Sequence, residues 1–151
     1  MTKSAAFVAP ARRLTHAGAC AMMDAAVGAA TAMGISVSVA IVDAGGHLVA
    51  FRRTDGGRFH TVHSATTKAV TAASNRRPTM SRGAQGQDLD VAHALGLALA
   101  AGPSRWTAME GGFPILASGE CIGGIGVSGG DWEQDQAIAR AAIQVIEAAS
   151  S

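Results

Sequence analysis

The sequence predicts an α/β protein of the α+β type, with a central antiparallel sheet of about five strands built from hairpins and flanked by helices. Two observations predict this class. Strand-like segments come in adjacent pairs joined by glycine-containing turns, and helical segments precede, separate and follow these pairs. The 151 residues suit one domain. They include 33 alanines and 19 glycines, a composition that favours close packing of helices on a small sheet.

The first helix is predicted over residues 12–33, where small and apolar residues recur at three- and four-residue steps. Gly34 follows as a natural helix stop. The period changes to two over residues 35–43, which predicts a strand. A turn at residues 44–46 and a returning strand over residues 47–53 complete the first hairpin.

The second half of the chain contains two further helices and a second hairpin, followed by a last helix. A helix is predicted over residues 60–75 and another near residues 88–100. A second hairpin pairs residues 111–117 with residues 121–128. Glycines inside a strand weaken it, so those in residues 121–128 indicate that a helix or a ligand lies very close.

The last helix has a clear start signal. Asp131 is a predicted N-cap, and Gln134 stands three residues later as its capping-box partner. The apolar face of this helix is predicted to consist of Ile138, Ala141, Ala142, Val145 and Ile146.

Composition excludes several classes of function. A net charge of +1, an aromatic content of 4% and the lack of tyrosine argue against a nucleic-acid partner. No uninterrupted apolar run approaches a membrane span. Cys20 and Cys121 make neither a disulfide framework nor a metal-binding pair, so we expect reduced thiols, no metal and a cytoplasmic protein.

Five short segments in order resemble the GlcG/HbpS-like family, the haem-binding or haem-degrading domain that also includes the PduO C-terminal domain. The resemblance runs from about residue 12 to residue 148. It is carried by Val-Ala-Ile-Val-Asp-Ala-Gly-Gly-His-Leu-Val-Ala-Phe-Arg-Arg-Thr-Asp-Gly at residues 39–56, Lys-Ala-Val-Thr-Ala at residues 68–72, Gly-Gly-Phe-Pro-Ile at residues 111–115, Ile-Gly-Gly-Ile-Gly-Val-Ser-Gly at residues 122–129 and Gln-Asp at residues 134–135. It implies helices around an antiparallel sheet, a homo-oligomer, and haem or a related tetrapyrrole as the candidate cofactor. Relatives in catabolic operons leave the activity open, because a fold does not determine a function.

His60 and His63 are the foremost candidates for cofactor binding. Their i, i+3 spacing places both imidazoles on neighbouring sides of one helical turn, and a neutral imidazole can ligate haem iron. Alternatively, both histidines belong to a polar first turn of the helix that faces solvent and binds nothing. Arg52 is a candidate for binding a haem propionate or a small acid, since its planar guanidinium can donate two parallel hydrogen bonds to a carboxylate. It could equally pair with Asp43 or Asp55 across the hairpin.

Further candidates surround the second hairpin. Lys68 could act as a base or bind an anion if it is desolvated, or it could reach solvent or pair with an acid. Glu110 could act as a general acid or base beside the Gly111-Gly112-Phe113 loop, or it could be a charged residue at the edge of that loop without a catalytic role. The catalytic candidates are therefore His60, His63, Lys68 and Glu110. The substrate-binding candidates are Arg52, Lys68, Gly111, Gly112 and Phe113.

Three hypotheses follow for the function. The first is a module that binds haem or a related tetrapyrrole. The second is a cofactor-independent catabolic enzyme, an isomerase, lyase or hydrolase, that acts on a small organic acid in a helix–sheet or inter-subunit pocket. The third is a structural or regulatory oligomer without a small ligand. Residual apolar surface on the helices also predicts self-association.

Overall fold

The computed structural model describes residues 6–150 and has four helices and four strands. In chain order these elements are α1 (His16–Met33), β1 (Ser38–Asp43), β2 (Leu48–Arg53), α2 (His60–Asn75), α3 (Val91–Ala101), β3 (Gly112–Ala117), β4 (Glu120–Ser128) and α4 (Trp132–Ala149). The strands form one antiparallel sheet in the order β2-β1-β4-β3. The predicted fold class is confirmed, with four strands rather than about five.

Element boundaries differ from the sequence prediction mainly at the N-terminal ends. Helix α1 begins at His16 rather than near residue 12, because the Thr15 side chain accepts the Gly18 N–H and caps the helix there. Gly34 ends α1 at φ 69°, a left-handed conformation that favours glycine. Strand β1 begins at Ser38 rather than at residue 35.

The sheet separates two helical layers. On one face α1 and α4 pack against the larger part of the core, which includes Met22, Ile41, Ile125 and Ile138. On the other face α2 packs directly on β1 and β4. Successive strand residues point to opposite faces, so the alternation predicted from the sequence supplies both layers.

Two glycines of β4 bring α2 unusually close to the sheet. A Cβ atom at Gly126 would overlap the Ala65 carbonyl oxygen, and one at Gly124 would overlap the Ala69 carbonyl oxygen. The sequence-based expectation that a helix lies close to this strand is therefore confirmed. This approach positions the buried side of α2 against the end of β4.

Helix α4 begins as predicted. The Asp131 side chain accepts the Gln134 N–H, and the Gln134 side chain accepts the Asp131 N–H, which completes a capping box. Its buried face differs slightly from the prediction, since it includes the charged residue Asp135 as well as Ile138, Ala139 and Ala142.

Helix α3 stands apart from both layers. Asp90 caps it by accepting the His93 N–H, yet none of its residues is buried. Val91 is 83% exposed and Leu99 is 70% exposed, although the helix is strongly apolar. Within residues 6–150, none of the helices combines the length and the hydropathy needed to span a bilayer.

Candidate functional site

A cavity of about 350 Å³ lies between the exposed side of α2 and α3; we call it the helix cleft. Its size falls within the range of small-ligand pockets. The side chains from α2 are His63, Ser64 and Thr67. The opposite wall is mainly apolar and consists of Leu95, Ala98, Leu99, Pro103, Trp106, Thr107 and Met109. The cleft thus combines one imidazole, a few hydroxyl groups and an apolar wall.

The two candidate histidines do not share this cleft. His63 lines it, whereas His60 lies at the first residue of α2, exposed, with its ring edge-on to Phe59 at a centroid distance of 6.1 Å. The two positions are neighbours on the surface of α2, but His60 is not among the residues that line the cleft. Of the pair, only His63 is positioned to ligate a group bound in the cleft.

Lys68 lies inside the protein and does not line the cleft. Its Nζ donates to Asp135 Oδ2 at 3.0 Å and to the Val127 carbonyl oxygen at 2.8 Å. Only 5% of each side chain of the ion pair is exposed. Of the possibilities that the sequence left open for Lys68, the structure shows pairing with an acid.

The same pair determines the geometry of the loop before β3. Gly111 has φ 110°, and a Cβ atom there would lie 3.1 Å from Lys68 Nζ and 3.0 Å from Asp135 Cβ. Gly112 is held from the other side, because its N–H donates to Thr79 Oγ1 at 2.9 Å. Both glycines are buried and pack against α2, which accounts for them without a bound substrate.

Burial raises the pKa of Asp135, although Lys68 and the Gly130 N–H oppose this shift by stabilising the carboxylate. The Gly130 N–H donates to Asp135 Oδ1 at 2.9 Å, so each carboxylate oxygen has a partner. No buried side-chain nitrogen or oxygen among residues 6–150 lacks a hydrogen bond. The site is a satisfied structural network rather than a cavity open to a ligand.

Arg52 makes an ion pair on the surface. Its Nη1 lies 2.6 Å from Asp24 Oδ1 on α1, so the partner is neither Asp43 nor Asp55. Asp43 instead stabilises the hairpin turn, since its Oδ1 accepts the N–H groups of Gly45 and His47. Arg52 borders an open groove between α1 and β2, away from the helix cleft.

The remaining candidates near the second hairpin lie apart from the cleft. Phe113 is buried in the core, with the Arg140 guanidinium 5.1 Å from its ring centroid. Glu110 is half-buried and follows Met109, which lines the cleft, but Glu110 itself does not. Within residues 6–150, no three His, Cys, Asp or Glu side chains are grouped to hold a metal ion.

Sequence reasoning missed most of the cleft wall. Trp106 and Met109 lie between α3 and β3, where no periodicity assigns a face to any residue. One signal was present: His63 and Thr67 are one helical turn apart and share a stripe of α2. That stripe is the α2 side of the cleft.

The sequence comparisons identify relatives along most of the chain. The family model described as "Haem degrading protein HbpS-like" matches residues 14–144. Protein GlcG of Escherichia coli K12 is 38% identical over 93 residues, which cover 62% of this chain and 64% of GlcG, less than two thirds of that protein. An uncharacterized 15.0 kDa protein from the dhaT-dhaS intergenic region of Citrobacter freundii is 32% identical over 130 residues, which cover 86% of this chain and 89% of the relative.

Solved structures show the same fold. Klebsiella pneumoniae protein ORFY superposes with a TM-score of 0.84 at 30% identity, covering 97% of this chain and 99% of ORFY. A PduOC:heme complex matches with a TM-score of 0.76 at 29% identity over 89% of this chain and 96% of PduOC. A double mutant of Streptomyces reticuli HbpS matches with a TM-score of 0.76 at 32% identity over 97% and 95% of the two chains. The resemblance inferred from the motifs is confirmed: the chain belongs to the GlcG/HbpS-like family.

Proposed function

We propose that this protein binds haem or a related tetrapyrrole in the helix cleft, with His63 as the axial ligand. The observation that carries the proposal is the position of His63 on the α2 wall of a cavity whose opposite wall is formed mainly by Leu95, Leu99, Trp106 and Met109. A neutral imidazole suits haem iron. An apolar wall suits the face of a macrocycle. The heme complex of PduOC, a protein of the same fold, supports this ligand class.

The geometry favours binding over the alternative of a catabolic enzyme. Acid–base catalysis requires groups within hydrogen-bond reach of one substrate. Of the four catalytic candidates, only His63 lines the cleft; neither His60 nor Glu110 lines it, and Lys68 is paired with Asp135. A small organic acid therefore has fewer catalytic partners here than the sequence alone suggested.

Titration with haemin tests the proposal. Wild-type protein and the matched control His60→Ala should both convert free haemin to a sharpened, shifted Soret band at one equivalent per chain. His63→Ala should lose that spectrum, because the iron loses its protein ligand. The proposal is overturned if wild-type protein leaves the haemin spectrum unchanged. Retention of the full spectrum in His63→Ala would remove His63 as the ligand.

We also propose that a second copy of the chain covers α3. An isolated helix of 11 residues is only marginally stable in water, and α3 has no buried residue within this chain. A second copy would bury Val91 and Leu97, which are 83% and 44% exposed. Light scattering at micromolar concentration should show a multimer, and Leu97→Glu should shift it toward the monomer. A monomeric wild-type protein would contradict this assembly.

A further inference from the structure

A second cavity adjoins the helix cleft, and the Trp106 side chain lines both. This arginine cavity has a volume of about 410 Å³ and lies between the β1–β2 turn and the C-terminal half of α2. Its lining includes Gly45, Gly46, Val70, Ser74 and Arg105. The two cavities differ in character, because the helix cleft has an apolar wall and the arginine cavity contains a cation.

The backbone next to Arg105 is anchored to α2. The Thr107 N–H donates to Thr71 Oγ1 at 3.0 Å, and Thr71 is fully buried. The Arg105 N–H donates to the Gly102 carbonyl oxygen at 3.0 Å. The segment that includes Arg105 and Trp106 is therefore held at a defined distance from the helix that carries His63.

Arg105 is the single charged residue lining the arginine cavity within residues 6–150. Its guanidinium makes no hydrogen bond or ion pair with another described side chain, in contrast to Arg52, which pairs with Asp24. Asp43, which precedes the turn residues that line this cavity, does not line it, and its Oδ1 accepts the N–H groups of Gly45 and His47. The exposed Ser74 hydroxyl adds a second polar group without a partner among the described residues.

We infer that Arg105 forms a carboxylate subsite beside the helix cleft. The inference rests on the proposed function in that it uses the same cleft. A guanidinium binds a carboxylate through two parallel N–H donors, and Ser74 can contribute a third donor. The carboxylate belongs either to the propionate of a tetrapyrrole or to a free small acid.

Haemin and haemin dimethyl ester distinguish these two sources, because the ester keeps the macrocycle and removes both carboxylates. Wild-type protein should bind haemin about tenfold more tightly than the ester, as expected for the loss of one charge-assisted pair. Arg105→Gln should abolish this preference, and Arg105→Lys should restore part of it. Arg53→Gln is the matched control, since Arg53 is exposed on β2 and lines neither of the two cavities.

A second measurement uses malonate as a small-acid probe and follows the indole N–H resonance of Trp106. If wild-type protein prefers haemin to the ester and Arg105→Gln does not, the subsite serves a tetrapyrrole. If wild-type protein binds neither form but malonate shifts the Trp106 resonance only when Arg105 is present, the proposed haem function fails and the subsite stands. If haemin binds with no dependence on Arg105 and malonate shifts nothing, the subsite is overturned and haem binding stands. If neither ligand has any effect, both are overturned.

Discussion

Lys68 Nζ lies 3.0 Å from Asp135 Oδ2, and this ion pair joins segments that are far apart in the sequence. Lys68 is on α2 and Asp135 is in the first turn of α4. The Val127 carbonyl at the end of β4 completes the contact, and Gly111 before β3 leaves the space for it. Four of the five segments that carry the family resemblance thus meet at one buried ion pair, which connects the two helical layers around the end of the sheet.

Breaking this pair should be strongly destabilising. Lys68→Met leaves a buried carboxylate without its cation, so it should lower the free energy of unfolding by about 3–5 kcal/mol. The double variant Lys68→Met with Asp135→Leu should cost less than the sum of the single changes, because no unpaired charge remains. Urea denaturation followed by circular dichroism measures each value.

The surface pair of Arg52 and Asp24 is the matched control for this experiment. Both side chains are largely exposed, so Arg52→Met should change the free energy of unfolding by less than about 1 kcal/mol. Equal losses for Arg52→Met and Lys68→Met would contradict the structural role assigned to the buried pair.

The pH dependence of this site has a definite sign. Burial raises the pKa of Asp135 in the folded state, so the folded protein binds a proton at higher pH than the unfolded chain does. The contribution of Asp135 to stability is therefore full below its unfolded pKa and is lost as the pH rises through its folded pKa. The stability of wild-type protein relative to Asp135→Asn should increase as the pH falls from 7 through that folded pKa. A relative decrease on acidification would mean that Lys68 outweighs burial.

The sequence predicted the parts of the fold that depend on local patterns. Alternation in β1, the capping box of Asp131 and Gln134, and the glycines of β4 are each readable within about ten residues. Lys68 was different, because its spacing of four from Ser64 placed it on a polar stripe that reads as a solvated helix face. Only the tertiary packing of α4 supplies Asp135 and turns that side of the helix inward.

The same limit applies to the candidate site. His63 could be named as a candidate because imidazole chemistry is identifiable from residue type and helical position. Trp106 and Arg105 were not found, because they lie in an irregular connection whose position depends on a hydrogen bond to Thr71, more than 30 residues earlier in the chain. The partners expected for Arg52 were wrong for the same reason. The hairpin pattern suggested a partner within the hairpin, whereas Asp24 lies on α1.

Gly126 of β4 should not tolerate replacement by alanine, which adds a single methyl group. Gly126→Ala places a Cβ atom on the Ala65 carbonyl oxygen and against the Ala69 nitrogen, so α2 must move off the sheet. We expect a loss of at least about 3 kcal/mol or of the cooperative unfolding transition itself. Gly28→Ala is the control, because its Cβ on the exposed side of α1 meets nothing within 4 Å; it should stabilise by up to about 1 kcal/mol. A Gly126→Ala variant as stable as Gly28→Ala would refute the close helix–sheet contact.

Asp90 should control the opening of α3 without affecting the rest of the protein. Its pKa is lowered chiefly because its carboxylate accepts the His93 backbone N–H, so its contribution is present above the unfolded pKa and is lost as the pH falls through the folded value. Because α3 has no buried residue, this loss should appear as local opening rather than as global unfolding. Hydrogen exchange of Asp90→Ala at neutral pH should accelerate in α3 while the urea midpoint stays unchanged. Asp131→Ala removes the equivalent cap from the packed helix α4 and should instead lower global stability by about 1 kcal/mol; the same response from both variants would contradict the independence of α3.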